Sequence, residues 1–125
     1  MKKRIKVFLL LIIILFGYRI FNDHINNNQA NVVTKYVDYH FRNNDLLNEH
    51  YRKHGIEMGY KSALAYEKAA SDIVNNPDAL YKLEKEDNDY VYFLESSNEI
   101  VFVSRDGYIR TYFVSNSGKS YFNNQ

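Results

Sequence analysis

Two histidines and two cations lie together in the run His50-Tyr51-Arg52-Lys53-His54. The histidines are four residues apart, so in a helix their rings share one face, with Lys53 beside them. Imidazole titrates near neutral pH and takes up a proton, and a fixed cation meets negative charge on phosphorus. The run therefore has groups that metal-free cleavage of a phosphodiester needs, with His54 as base and His50 as a reserve acid. The same residues are also compatible with a solvated helix end.

Zinc binding is a second interpretation of two histidines at this spacing. In the metalloprotease signature a glutamate follows the first histidine, whereas here Tyr51 follows His50. No further acidic residue stands at ligand spacing, and the chain has no cysteine. The sequence therefore predicts neither a metal site nor a cofactor.

A second group of candidates lies in the run from Tyr108 to Phe113, which has the composition of a β-strand. Side chains alternate along a strand, which predicts that Ile109, Thr111 and Phe113 share one face and that Tyr108, Arg110 and Tyr112 share the other.

Three of these strand residues are candidates for contacting a phosphodiester. Thr111 would donate a hydrogen bond to a phosphate oxygen, Arg110 would meet phosphate charge, and the Phe113 ring offers a surface on which a base can stack. Tyr112 and Lys61 are further candidates for substrate binding. The ordinary interpretation is that Thr111 is a residue of good β propensity and that Arg110 pairs with a glutamate across the sheet, either Glu95 or Glu99.

Helices are predicted ahead of this strand. Apolar residues recur at helical spacing over residues 34–54, with Asn43-Asn44-Asp45 as a potential break and Gly55 as a left-handed C-cap. Ser62 is the predicted N-cap of a second helix that ends near residues 75–78. The apolar stripe of that helix contains Tyr66, Ala69, Ala70, Ile73 and Val74.

Short strands follow the helices. Runs rich in β-branched and aromatic residues cover 90–94, 100–103 and 108–114, and turn residues separate them. A last short strand is predicted over 119–122. Helices that precede an antiparallel meander define an α+β domain, with the N-terminal helices packed on a small sheet.

The N-terminus has the pattern of a membrane-targeting segment. Residues 1–6 are basic and residues 7–16 are continuously apolar. We expect a signal peptide or membrane anchor over 1–21, a polar Asn-rich linker over 22–33 and a folded domain over 34–125. The positive-inside rule predicts that the domain is secreted or anchored to the outer face of the cytoplasmic membrane, with residues 7–21 in contact with the membrane if they are not cleaved.

Charge divides unevenly along the chain. Five of the 16 Lys and Arg residues precede residue 20, and none of the 15 Asp and Glu residues does. The remainder therefore carries 11 basic and 15 acidic residues, and 11 − 15 = −4. An acidic body argues against broad binding to duplex nucleic acid, which needs dense positive charge, although it allows a small basic cleft.

Several sequence blocks in the same order resemble a known family. They are His50-Tyr51-x-Lys53-His54-Gly55-x-Glu57-Met58-Gly59-Tyr60-x-Ser62, Ala69-Ala70, Ser96-Ser97-Asn98-Glu99, Asp106 to Phe113, and Gly118-x-x-Tyr121-Phe122-x-x-Gln125. Over residues 45–125 the chain resembles the C-terminal toxin domains of bacterial polymorphic toxins, in the superfamily named for barnase, EndoU, the tRNA-cleaving colicins and RelE.

The resemblance implies a metal-independent ribonuclease of α+β fold. Lys53 and His54 match the basic-histidine element of the family, and Thr111 with Phe113 matches its hydroxyl-x-aromatic strand element. The expected substrate is RNA, with tRNA as one candidate, and the expected partner is a cognate immunity protein.

Two positions depart from the family pattern. Met58 stands where phenylalanine is usual, and Ala65 replaces the acidic residue that would complete a capping box after Ser62. Two alternatives to an active ribonuclease therefore stay open. One is a non-enzymatic binding module, exported or tethered to the membrane, that uses the aromatic face of the sheet. The other is a decayed, inactive toxin cassette.

Overall fold

The computed structural model describes residues 9–21 and 35–125. These residues belong to two separate units of the chain, Met1–Lys35 and Tyr36–Gln125. In the first unit, residues 9–21 form helix α1, whose side chains are exposed. No helix within the described ranges has both the length and the apolar character needed to cross a membrane. The predicted basic start at residues 1–6 and the predicted linker at 22–33 lie outside the described residues.

The second unit is an α+β domain with a small antiparallel sheet, as predicted. Its helices are α2 (Asn44–His50), a π-helix that continues α2 (Tyr51–Gly55), α3 (Ala63–Val74) and α4 (Lys119–Asn124). Its strands are β1 (Leu80–Leu83), β2 (Tyr90–Leu94), β3 (Glu99–Val103) and β4 (Ile109–Val114). The strands pair in chain order, each antiparallel to the next. Strand β1 was not predicted from the sequence.

Helix α3 begins and ends where its sequence predicts. The Ser62 side chain accepts a hydrogen bond from the Ala65 backbone N–H at 3.1 Å, which satisfies one of the free donors of the first turn. The predicted stripe packs against the sheet, with Tyr66 and Ala70 completely buried. Tyr66 also donates a hydrogen bond to the Tyr112 carbonyl, which fixes α3 against β4.

The predicted helix over residues 34–54 is wrong in its first part, because residues 35–40 are not helical and Phe41 forms an isolated β-bridge with Ile109. Side chains of α3 bind the backbone donors of this segment. Ser71 accepts from the Tyr39 N–H at 2.9 Å, and Glu67 accepts from the Phe41 N–H at 2.9 Å. Asn43 then caps α2 by accepting from the Leu46 N–H. These long-range hydrogen bonds outweigh the local helical spacing.

A β-bulge in β4 changes the predicted distribution of side chains between the faces. Val103 is opposite Ile109, whereas Phe102 is opposite Thr111, so Arg110 is an extra residue in the strand. Ile109 consequently lies in the core with Tyr112, on the α3 side of the sheet. The prediction that Ile109 shares a face with Thr111 and Phe113 is therefore wrong.

Two apolar cores lie on the two faces of the sheet. The larger core joins α3 to one face, and the smaller one joins α4 to the other face. Phe122 of α4 stacks on Phe93 of β2 with ring centroids 5.5 Å apart. The predicted last strand over 119–122 is thus a helix instead. A strand would point Tyr121 and Phe122 to opposite sides, whereas a helix buries Phe122 and leaves Tyr121 at the edge.

Gly55 has a different role from the predicted left-handed C-cap. It lies within the π-helix, and the positive φ of this region occurs at Gly59, at 88°. Gly55 is buried where the π-helix approaches α3. A Cβ atom there would lie 2.4 Å from Cδ2 of Tyr51 and 2.9 Å from Cδ2 of Tyr66. Glycine is needed at this position because two rings occupy the space of any side chain.

Gly55→Ala is expected to lower the free energy of unfolding by about 1–3 kcal/mol, because the added methyl group forces two packed rings to shift. Thermal denaturation of the purified chain measures this effect. Ile56→Ala is the control, since the Ile56 side chain is exposed, and it should change stability by less than about 0.5 kcal/mol. An unchanged melting temperature for Gly55→Ala would contradict the close packing of the π-helix on Tyr66.

Candidate active site

Helix α2 and the π-helix present the two predicted histidines side by side. The rings of His50 and His54 are stacked with centroids 6.2 Å apart. Phe41, in the segment before α2, also stacks on His50, with ring centroids 5.3 Å apart. Short π-helical insertions are frequent at functional sites, and this one carries Lys53 and His54. The basic-histidine run is therefore positioned by a helix whose end is held against α3 and β4.

Strand β4 brings its predicted residues to the same place. Because of the bulge, Thr111 and Phe113 lie on the sheet face opposite α3. The rings of His54 and Phe113 approach with centroids 5.4 Å apart. Residues about 60 positions apart in the chain thus meet at the edge of the sheet. The structure brings six of the predicted site residues to two adjoining cavities. His50, Lys53, Arg110 and Thr111 line one cavity, and Lys53, His54 and Phe113 line the other.

Two cavities adjoin these residues, and Lys53 lines both. The first, which we call the Arg110 cavity, has a volume of about 720 Å³. Its lining includes His50, Lys53, Asp87, Phe102, Arg110 and Thr111. The second, which we call the Tyr121 cavity, has a volume of about 650 Å³. Its lining includes Lys53, His54, Phe113, Asn116, Ser117 and Tyr121.

The positive charge of Arg110 is already neutralised within the protein. Its guanidinium donates hydrogen bonds to the carboxylates of Asp89 and Asp87, the latter at 3.2 Å. These bonds, first that to Asp89, raise the pKa of Arg110. The predicted alternative pairing with glutamates is wrong, since Glu99 accepts a hydrogen bond from Tyr112 and Glu95 pairs with Lys119 at 2.6 Å. Arg110 is therefore poorly placed to meet the charge of a phosphate.

Lys53 is the better candidate for that role. Its side chain is exposed, and it forms no ion pair with any residue in the ranges 9–21 and 35–125. Arg42, the other cation of the Arg110 cavity, is held by Asp106 at 2.7 Å. An unpaired ammonium between two cavities can meet the charge of an anion without breaking an existing ion pair.

The surroundings of both histidines favour the neutral imidazole. Burial, followed by the charge of Lys53, lowers the pKa of His54 below 6.5, and Glu57 opposes this in part. Burial, followed by the neighbouring His54, lowers the pKa of His50 as well. The Nδ1 atom of His50 is buried without a hydrogen-bond partner in the described part of the chain. His54 can therefore accept a proton. His50 is a poor candidate for the general acid, because its surroundings disfavour the protonated form.

Two predicted substrate-binding residues do not reach the cavities. Tyr112 is completely buried, and its hydroxyl bonds Glu99 and, at 2.8 Å, the Tyr60 hydroxyl. Burial raises the pKa of Tyr112 far above that of a free phenol. Its ring has no free face for a base, so the prediction for Tyr112 is wrong. Lys61 is exposed and lines neither cavity.

One acidic group in the turn between β1 and β2 was missed from the sequence. Carboxylate oxygens of Glu84, Asp87 and Asp89 lie within 4.8 Å of one another, and this is the one group in the described ranges that could hold a metal ion. Two of the three carboxylates already bind Arg110. The sequence contains the acidic run Glu84-x-Glu86-Asp87-x-Asp89. Because strand β1 was not predicted, the sequence did not indicate where in the fold this run lies. The histidines do not belong to this group.

The chain matches no protein-family model, and no curated protein is significantly similar to it. The geometry of the two cavities and of the residues between them therefore has to support any functional conclusion.

Proposed function

We propose that the domain over residues 34–125 is a metal-independent endoribonuclease of the toxin superfamily that it resembles. The single observation that carries the proposal is the meeting of a neutral histidine, His54, with an unpaired cation, Lys53, and the aromatic face of Phe113 at a cavity edge. The half-buried Thr111, which lines the Arg110 cavity together with Lys53, supplies a hydroxyl donor.

In this mechanism His54 takes the proton from a ribose 2′-hydroxyl, and the 2′-oxygen attacks the adjacent phosphorus. The bond from phosphorus to the 5′-oxygen breaks, which leaves a 2′,3′-cyclic phosphate and a 5′-hydroxyl. The 5′-oxygen takes up one proton, from solvent or from the minor protonated form of His50, so the proton count balances. Lys53 meets the phosphate charge and Thr111 donates to a non-bridging oxygen. The need for a 2′-hydroxyl makes the reaction specific for RNA.

The proposal includes the remaining expectations from the sequence. Export or outer-face anchoring through residues 1–21 would keep the site away from the RNA of the producing cell. A cell that meets the active domain in its cytosol would need an immunity protein. The target RNA, with tRNA among the candidates, follows from the resemblance alone.

Incubation of the full chain with total RNA in excess EDTA tests this function. We expect cleavage that EDTA does not slow, because the proposed groups are all side chains of the protein. Activity that EDTA abolishes and zinc restores would contradict the mechanism and favour a metal-dependent one. Binding of RNA without cleavage would favour the alternative of a binding module.

The pH dependence of cleavage is expected to report the pKa of His54. Since only the neutral imidazole accepts the proton, kcat/KM should rise with pH through a midpoint below 6.5 and then level off. Lys53→Met removes the cation that lowers this pKa, so the midpoint should move upward, toward 6.5. Lys61→Met, at an exposed lysine outside the cavities, should leave the midpoint in place. A midpoint that moves down in Lys53→Met would show that His54 is not the base.

A further inference from the structure

The Tyr121 cavity has an aromatic wall made of three rings. His54 lies against Phe113 at 5.4 Å, and Tyr121 meets Phe113 edge to face at 5.6 Å and 79°. Phe113 is half-buried among its neighbours, with Phe102 stacked at 6.3 Å on its other side. Tyr121 is 36% exposed, so its ring presents the larger free surface to the cavity.

Hydrogen bonds of the turn over residues 115–118 fix the position of this aromatic wall. The Ser115 N–H donates to the Asn98 carbonyl at 2.8 Å, and the Gly118 N–H donates to the Ser115 carbonyl at 3.1 Å. Phe122, next to Tyr121 in α4, is buried on the sheet, and Lys82 donates to its carbonyl at 3.3 Å. Tyr121 is therefore presented by an anchored helix, which lowers the ordering cost of binding a ligand on its ring.

The position of His54 determines which part of an RNA would enter this cavity. The 2′-hydroxyl that His54 deprotonates is attached to C2′ of the ribose. The neighbouring carbon, C1′, carries the base of the same nucleoside. That base consequently lies close to His54, which lines the Tyr121 cavity and not the Arg110 cavity. Aromatic side chains stack on nucleobases with little dependence on their identity.

We propose that the Tyr121 cavity is the subsite for the base of the nucleoside that supplies the attacking 2′-hydroxyl, with Tyr121 as its stacking residue. This inference rests on the ribonuclease function proposed above. The exposed side chains of Asn116 and Ser117 border the cavity and offer donors and acceptors to the edge of the base. A base that enters the Tyr121 cavity cannot stay paired in a duplex, so the substrate is single-stranded at this nucleoside.

The test uses the full chain and an oligoribonucleotide that the wild type cuts at one mapped bond. Tyr121→Ala should lower kcat/KM by about 5- to 150-fold, the fold-change that corresponds to one lost base stack. The loss should disappear on a matched substrate whose nucleoside 5′ of that bond is abasic but keeps its 2′-hydroxyl. It should persist when the nucleoside on the 3′ side is abasic instead. Tyr121→Phe should cut at close to the wild-type rate, because the ring is retained.

Controls separate stacking from folding and from the proposed function. Tyr121→Leu keeps an apolar contact with Phe113 without a planar ring and should lose activity as Tyr121→Ala does, at an unchanged melting temperature. Tyr81→Ala, at an exposed tyrosine outside both cavities, should retain full activity. Equal loss on the intact and the 5′-abasic substrates, or no loss on either, would overturn the subsite while leaving the ribonuclease in place. A wild type that cuts no RNA would overturn the ribonuclease itself.

Discussion

His54→Ala is expected to slow RNA cleavage by about 10²–10⁴-fold, the range for loss of a positioned general base. Burial and the charge of Lys53 lower the pKa of His54, which favours the form that can accept the 2′-hydroxyl proton. The carboxylate of Glu57 also lines the Tyr121 cavity, and His54 is the imidazole in its described lining. Single-turnover cleavage of an RNA oligonucleotide by the full chain measures the effect.

Two further observations distinguish a base from a structural histidine. His54→Asn retains a planar polar side chain but cannot take up a proton, so it should be as slow as His54→Ala while melting like the wild type. Added imidazole should restore part of the activity of His54→Ala, because the vacated space opens to a cavity. Cleavage by His54→Asn within threefold of the wild-type rate would show that the proton goes elsewhere.

Thr111→Val is expected to lower the rate of the chemical step by about 10²–10³-fold, the loss typical of one missing donor to a developing negative charge. The change keeps the β-branch and the volume of the side chain. The Thr111 hydroxyl takes part in none of the side-chain hydrogen bonds found within residues 35–125, so its removal should leave the melting temperature nearly unchanged. Rapid-quench kinetics under single-turnover conditions isolates this step.

Thr111→Ser is the matched control, because it keeps the hydroxyl and loses only a methyl group. It should cut at close to the wild-type rate. Equal rates for Thr111→Val and the wild type would show that Thr111 has only a structural role in strand β4. A large loss in both variants would point to packing of the methyl group rather than to the hydroxyl.

Local signals predicted the parts of the fold that local interactions determine. Ser62 caps α3 because a serine before an apolar stripe can satisfy the first-turn donors wherever the helix lies. Strands β2, β3 and β4 were visible as aromatic and β-branched runs between turns. Strand β1 has only four residues and two of them are exposed, so its pairing with β2 is what defines it.

Long-range contacts determine the parts that were not predicted. The non-helical segment before α2 depends on Glu67 and Ser71, whose side chains bind its backbone from a helix some 30 residues later. The bulge at Arg110 depends on the pairing of β3 with β4, and it reverses the face on which Ile109 lies. Neither contact leaves a periodic signal in its own segment.

In the candidate site, too, local features could be predicted from the sequence and long-range contacts could not. The adjacency of His50, Lys53 and His54 was evident because it is local, whereas their meeting with Phe113 needed the packing of the π-helix on β4. The neutralisation of Arg110 could not be predicted, since its carboxylate partners follow the unrecognised strand β1. Tyr121 belongs to one of the sequence blocks that resemble the family, but a predicted strand over 119–122 gave no indication that it lies beside Phe113.

The central claim is that the ribose 2′-hydroxyl attacks phosphorus without a metal ion. The most direct measurement uses one oligoribonucleotide and a copy with a single 2′-deoxy substitution at the cleaved nucleoside, each incubated with the full chain in excess EDTA. We predict that the all-ribose strand gives a 2′,3′-cyclic phosphate and a 5′-hydroxyl by mass spectrometry and that the substituted bond stays intact. Cleavage of the 2′-deoxy bond, or products that end in a 3′-hydroxyl and a 5′-phosphate, would contradict the mechanism.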